Sequence, residues 1–226
     1  MLIRPVPVAI VEDHALFRKT LQNYLSVHNV DVIIQASDIA ELFQKLQGST
    51  VEIVLMDLFM PGLNGIDAIR SLRAEFPHIK IVVVSMSTDM DLISELLEEG
   101  IHGYLSKADE PDNLLQAISA ASEGRIFRNR LLTEALYWNK QNHITTFTDP
   151  QNITLNDREK KILQLIWEEK SNKEIADELF LGVRSVEKIR QDIKEKVGVK
   201  STVGMLKYAI SKRIISIDAR FSGLPS

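Results

Sequence analysis

The chain has 226 residues, 45% hydrophobic and 26% charged, with a formal net charge of −4, an ordinary balance for a globular protein and a length that fits two modest domains or one large one. Its longest uninterrupted apolar runs are four residues, as at Ile81–Val84, which excludes a hydropathic membrane span. The apolar start meets Glu12 and Asp13 too early for a signal peptide, and the absence of cysteine removes disulfides and thiolate metal sites and fits a cytosolic protein.

In chain order, residues 1–123 alternate strand-like and helix-like segments. Short apolar runs at Val6–Val11, Val32–Ala36, Ile53–Met56, Ile79–Val84 and Gly103–Leu105 predict strands. Amphipathic stretches near 15–26, 39–47, 65–75, 89–98 and 112–122 predict helices between and after them. Pro and Gly in "EFPHIK" and "EEGIHG" break the chain before the fourth and fifth strands, and Pro111 suits the first turn of the last helix. Five strand–helix repeats predict a parallel sheet covered on both faces, with right-handed crossovers.

The pattern weakens over residues 124–152, read as a linker with one short helix around "LLTEALYW". "HITTFTDPQNIT" is a loop by composition. Residues 153–215 read as all helical, with helices near 157–168, 172–179, 184–197 and 202–211, and residues 216–226 as a frayed tail. "NDRE" and "SNKE" have the Asn/Ser-to-Glu spacing of capping boxes. Charge divides in the same way. Residues 151–226 carry 15 basic and 11 acidic side chains, about +4, leaving 12 basic and 20 acidic, about −8, in residues 1–150. The halves are therefore expected to meet different partners.

Glu12 and Asp13, Asp57, Ser85 and Lys107 stand at or just past the C-terminal ends of the first, third, fourth and fifth strands. In an open parallel sheet those ends face one crevice. Three carboxylates there need a compensating cation, and Mg²⁺ suits oxygen ligands and phosphate. An Asp beside a metal, a lysine and a hydroxyl is suited to accept a phosphoryl group as an acyl phosphate. His14 is read as the start of a helix rather than a ligand, and Trp138 and Trp167 as packing residues. No Gly-rich nucleotide loop is present.

On "VEDH", "VLMDLFMPGLNGID", Ser85 and "GYLSK", residues 6–122 resemble the receiver domain of a two-component response regulator. The resemblance implies a flavodoxin-like, doubly wound parallel five-stranded α/β domain. It makes Asp57 the phospho-acceptor and Glu12, Asp13, Asp57 and the Phe59 carbonyl the magnesium ligands. Ser85 and Lys107 hold the phosphoryl group, and Tyr104 is the aromatic switch that turns inward when Ser85 moves. Pro61 and Gly65 shape the loop after the acceptor. Phe59 departs from the smaller or polar residues common at its position, and is placed either to shield the acyl phosphate or to pack on a loop.

The C-terminal pieces "REKKIL", "SNKEIA" and the "L-x-x-R-S-V" pattern resemble a LuxR-type helix-turn-helix, and the two halves together resemble the NarL/FixJ class. That implies an all-α, four-helix DNA-binding domain whose recognition helix covers Arg184–Val197. At about 100° per residue, Val186, Ile189, Ile193 and Val197 form its buried stripe. Arg184, Lys188, Gln191 and Glu195 lie opposite, with Glu187 and Lys194 on one flank and Asp192 on the other. Arg184, Ser185, Lys188 and Gln191 are the expected DNA contacts. Glu187, Ile189 and Gln191 depart from the family's lysine, histidine and basic residue at those positions.

The implied function is a cytoplasmic transcription regulator, not an enzyme, with no membrane partner. A sensor histidine kinase phosphorylates it, it forms a homodimer when phosphorylated, and it binds double-stranded DNA. The acidic residues of the recognition helix keep open a phosphorylation-switched protein-interaction module that has lost DNA binding. A small metal-dependent phosphatase is disfavoured, because Phe59 stands where a second Asp would be needed.

Overall fold

A computed structural model describes residues 5–61, 64–142 (side chains to 136), 155–212 and 214–215. The expected loop at 143–154, the Trp138 side chain and the tail at 216–226 lie outside those residues. The chain divides into two compact units, Met1–Ile144 and Thr145–Ser226.

The first unit runs β1 (Val6–Val11), α1 (Ala15–Ser26), β2 (Val30–Ala36), α2 (Ile39–Leu46), β3 (Ile53–Met56), α3 (Gly65–Glu75), β4 (Lys80–Ser85), α4 (Met90–Glu98), β5 (Gly103–Ser106), α5 (Pro111–Ser122) and α6 (Arg130–Asn142). All strands pair in parallel in the order β2-β1-β3-β4-β5, which is the expected flavodoxin-like arrangement. The order reverses between β1 and β3, and this places the ends of those two strands side by side.

Residues of β3 are buried throughout, and those of β1 and β4 nearly so, because helices cover both faces of the sheet. These strands therefore read in sequence as continuous apolar runs. The edge strand β2 alternates instead, with Asp31 exposed, and it begins two residues earlier than expected, at Val30. The β1–β2 register slips after Val8, which pairs with Val32, while Ala9 pairs with Ile34. Ile33 is the extra residue of this bulge and is 41% exposed.

Pro111 occupies the first turn of α5, as expected. Asn64 caps α3 through a bond from the Ile66 amide. A Cβ at Gly65 would stand 2.9 Å from Leu58 Cδ2, so a larger residue there would require the Leu58 side chain to shift. Helix α6, inside the stretch read as linker, packs on α4 and β5 with Leu132, Ala135 and Leu136 buried.

The second unit is all helical: α7 (Asp157–Trp167), α8 (Asn172–Glu178), α9 (Val183–Val197) and α10 (Thr202–Ser211). Both expected capping boxes form, Asn156 with Glu159 and Ser171 with Glu174. The core joins Ile162, Leu163, Ile166, Ile175, Val186, Ile193, Met205 and Leu206, with Ile189 and Trp167 partly buried against it. Gly198 ends α9 in the left-handed conformation, φ +71°, a common glycine role after a helix.

Candidate functional sites

Past the strand ends the backbone ladder continues by single bonds. The Glu12 amide donates to Ala36 O at 3.1 Å, the Asp57 amide to Val11 O at 3.0 Å and the Lys107 amide to Ser85 O at 2.8 Å. Each of the three residues is thus pinned to the neighbouring strand at the C-terminal edge of the sheet, as the strand-end spacing predicts.

Their side chains meet there. Lys107 Nζ lies 2.7 Å from Glu12 Oε2 and 2.9 Å from Asp57 Oδ2, with both carboxylates buried. The ammonium also faces the Phe17 ring, 4.6 Å from its centroid. Burial on its own depresses the Lys107 pKa, but hydrogen bonds and charge from Glu12 and Asp57 outweigh it and hold the ammonium above the usual lysine value. A buried carboxylate pair is tolerable because this cation sits between them.

Asp13 is part-exposed, and its Oδ1 lies 3.0 Å from His14 Nδ1, which is also 3.2 Å from Glu12 Oε1. His14 does begin a helix, as the N-cap of α1, yet its ring also joins the acidic pair. The ligand atoms of Glu12, Asp13 and His14 lie within 4.8 Å of one another. The Phe59 amide donates to Asp57 Oδ1 at 3.3 Å, and the residue is 58% exposed.

Ser85 and Tyr104 are fully buried on the neighbouring strands β4 and β5. The Tyr104 ring points inward, and its hydroxyl donates to Ser87 O at 2.8 Å. Burial raises the phenol pKa, opposed by hydrogen bonds to Ser85 and Ser87. One edge of the sheet therefore carries a carboxylate at a strand end, a paired lysine, further oxygen ligands and a hydroxyl. That is a set of groups suited to receiving a phosphoryl group.

In the second unit α9 buries Val186, Ile193 and Val197 and exposes Arg184, Ser185, Lys188 and Gln191, as its periodicity predicts. Gln191 Nε2 donates to Glu195 Oε1 at 2.8 Å along the outer face. Gly182 precedes α9 without a side-chain cap, and its first turn has no acidic residue. Those amides and the helix dipole favour an anion.

Residues 8–119 match the family described as response regulator receiver domain, and residues 154–209 match bacterial regulatory proteins, luxR family. The oxygen regulatory protein NreC of Staphylococcus aureus (strain JH9) is 33% identical over 214 residues, covering 92% of this chain and 98% of that protein. The chain is a response regulator of the NarL/FixJ class.

Solved response regulators share its fold. One is RcsB in a complex with DNA, at TM-score 0.56 and 24% identity, covering 92% of this chain and 99% of that one. Another is the isolated receiver domain of RcsB from Salmonella enterica serovar Typhimurium with phosphomimetic BeF3−, at TM-score 0.54 and 25% identity, covering 58% and 99%. Among the described residues, no helix is long and apolar enough to cross a membrane. Response regulators with these two domains regulate transcription under the control of phosphorylation.

Several contacts in this response regulator escaped the sequence reading. Arg190, on α9, is half-buried and donates to Asn172 Oδ1 on α8 and, at 3.0 Å, to Thr202 Oγ1 on α10. Burial lowers its pKa, opposed by the charge of Glu187. Glu159, buried in the capping box of α7, also meets Lys196 of α9. The sequence did carry a signal for Arg190, which lies four residues after Val186 and three before Ile193. A charge on the buried stripe must find partners inside the domain.

Proposed function

We propose that Asp57 accepts a phosphoryl group from a sensor histidine kinase and that this promotes homodimerisation and binding of double-stranded DNA, in the cytoplasm. The observation that carries this reading is the Lys107 ammonium, within 3 Å of both Glu12 and Asp57 at the sheet edge. An Asp57 carboxylate oxygen forms the new bond to phosphorus as the bond to the kinase's histidine nitrogen breaks. The Lys107 ammonium and the Ser85 hydroxyl then hold the oxygens of the transferred group. Glu12, Asp13 and Asp57 against one lysine leave an excess of two negative charges on hard oxygen donors, a set that fits a divalent ion. Those three residues and the Phe59 carbonyl would hold Mg²⁺, which supplies charge to offset the phosphoryl oxygens.

Neutralising two of these ligands tests the metal assignment. With Glu12→Gln and Asp13→Asn together, magnesium affinity is expected to fall at least about tenfold, roughly 1.4 kcal/mol. Titration by fluorescence or calorimetry would read this directly, and an unchanged affinity would move the cation elsewhere.

Arg184, Ser185, Lys188 and Gln191 are the proposed contacts to DNA, with α9 in the major groove. Arg and Lys suit phosphate or guanine, and Gln suits adenine once it leaves Glu195. Glu187 has two effects in this reading: its charge supports Arg190 and repels the DNA backbone. Glu187→Lys is therefore expected to tighten binding even to unrelated duplexes and to steepen the salt dependence, by about 0.9 in log–log slope for each added phosphate contact. Filter binding or anisotropy across salt concentrations, with full-length protein treated with a phosphodonor, measures both. If the wild-type chain and this variant both lack salt-sensitive binding at low ionic strength, the charged outer face belongs to a protein-interaction module instead.

A further inference from the structure

Helix α6 is tied to the residue read as the aromatic switch. The Asn129 side-chain amide donates to the Tyr104 backbone carbonyl at 2.8 Å, and its Oδ1 accepts from the Leu132 amide at 2.9 Å. One side chain thus caps α6 and grips β5. The amide orientation is dictated by its surroundings, since a flip would oppose two donors on one side and two acceptors on the other. Just before it, the Phe127 amide donates to His102 O at 2.8 Å, so residues 127–129 run along the outer edge of β5. From this anchor α6 crosses α4, burying Leu132, Ala135 and Leu136 completely or nearly so. On α4, Ile93, Leu96 and Leu97 are buried too.

A helix that only connected two domains would need neither the bond to Tyr104 nor an apolar dock. The dock covers the α4–β5 face with this chain's own segment, and the sequence leads straight from α6 towards the second unit. We infer that α6, held through Asn129, is the element that reads the state of Tyr104. This inference rests on the proposed roles of Asp57, Ser85 and Tyr104. Phosphorylated Asp57 draws Ser85 and holds Tyr104 inward. Inward Tyr104 keeps its carbonyl under Asn129, and α6 stays docked. When Tyr104 swings out, β5 shifts beneath the cap and α6 loosens. Linkage makes the coupling reciprocal, so a firmly docked α6 also favours the phosphorylated receiver.

Hydrogen exchange of the full-length protein, with and without acetyl phosphate and Mg²⁺, tests this on peptides spanning residues 130–136. Phosphorylation is expected to slow exchange there at least about fivefold, the low end of ordinary coupling between sites. Asn129→Asp keeps an oxygen to cap the helix but removes the donor to Tyr104 O. It should take up phosphate normally, by intact mass, yet lose the slowing. Phosphate incorporation without any change in α6, or full slowing in Asn129→Asp, overturns the inference alone. Failure of the wild-type chain to take up phosphate overturns the acceptor reading and this coupling with it. If Asn129→Asp exposes α6 in both states, Leu132→Ala decides. It loosens the apolar dock and leaves the Tyr104 bond, so its response must survive, and loss of that response overturns the role of Asn129.

Discussion

Asp57→Ala is expected to abolish the single phosphate added by a small phosphodonor with Mg²⁺, read by intact mass. Glu12 and Asp57 share Lys107 at the strand ends, 2.7 and 2.9 Å from its ammonium and both buried, and of the two it is Asp57 that stands at the acceptor position of the receiver-domain pattern. The phosphorylation-dependent gain in DNA binding should vanish with it. Because Lys107 keeps Glu12 as a partner, the variant should remain folded. A full mass shift in Asp57→Ala would place the acceptor on another side chain.

Arg190→Ala should markedly lower the stability of the second unit. It leaves Asn172 Oδ1 and Thr202 Oγ1 without their guanidinium partner, in a half-buried setting between three helices. Loss of a charged, bridging hydrogen-bond donor of this kind costs about 2–4 kcal/mol. For a domain of this size that lowers the melting temperature by roughly 10–25 °C. Arg190→Lys should rescue little, since one ammonium cannot reproduce a planar fork spanning two acceptors. In calorimetry of the full-length protein the receiver transition should stay in place while the other moves. If neither moves, the clasp contributes nothing to stability and DNA-binding defects of Arg190 variants would have to come from the interface itself.

The two cases also show what the sequence could disclose. The strands were legible because β1, β3 and β4 are buried on both faces and present unbroken apolar runs. The helix ends were legible because Asn156, Ser171 and Pro111 act locally, within a turn. The meeting of Glu12, Asp57 and Lys107 followed from topology, since parallel strands bring their C-terminal ends to one edge. What stayed hidden depends on partners distant in sequence and chosen by packing. Asn129 reads as one more polar residue in a linker until Tyr104 O is found beside it. His14 reads as a helix start, which it is, while its contact with two carboxylates depends on how α1 leaves the sheet. Arg190 is different, because its place on the apolar stripe was visible in the spacing and only its partners were not.

The bulge at Ile33 bears on how copies of this protein can associate. A sheet grows by presenting a straight, unpaired edge to another strand, and neither edge here does so. On one side β2 is kinked by an extra residue and carries the exposed Asp31. On the other, Phe127 and Asn129 already bond to the carbonyls of His102, just before β5, and of Tyr104 within it. Both devices oppose strand addition. They disfavour fusion of two receivers into one continuous ten-stranded sheet, so helical faces are the better suited surfaces for contact between copies. Side-chain packing on such faces can be made and broken without disturbing the main-chain ladder. The same protection applies at high local concentration, where an open sheet edge would invite irreversible clumping.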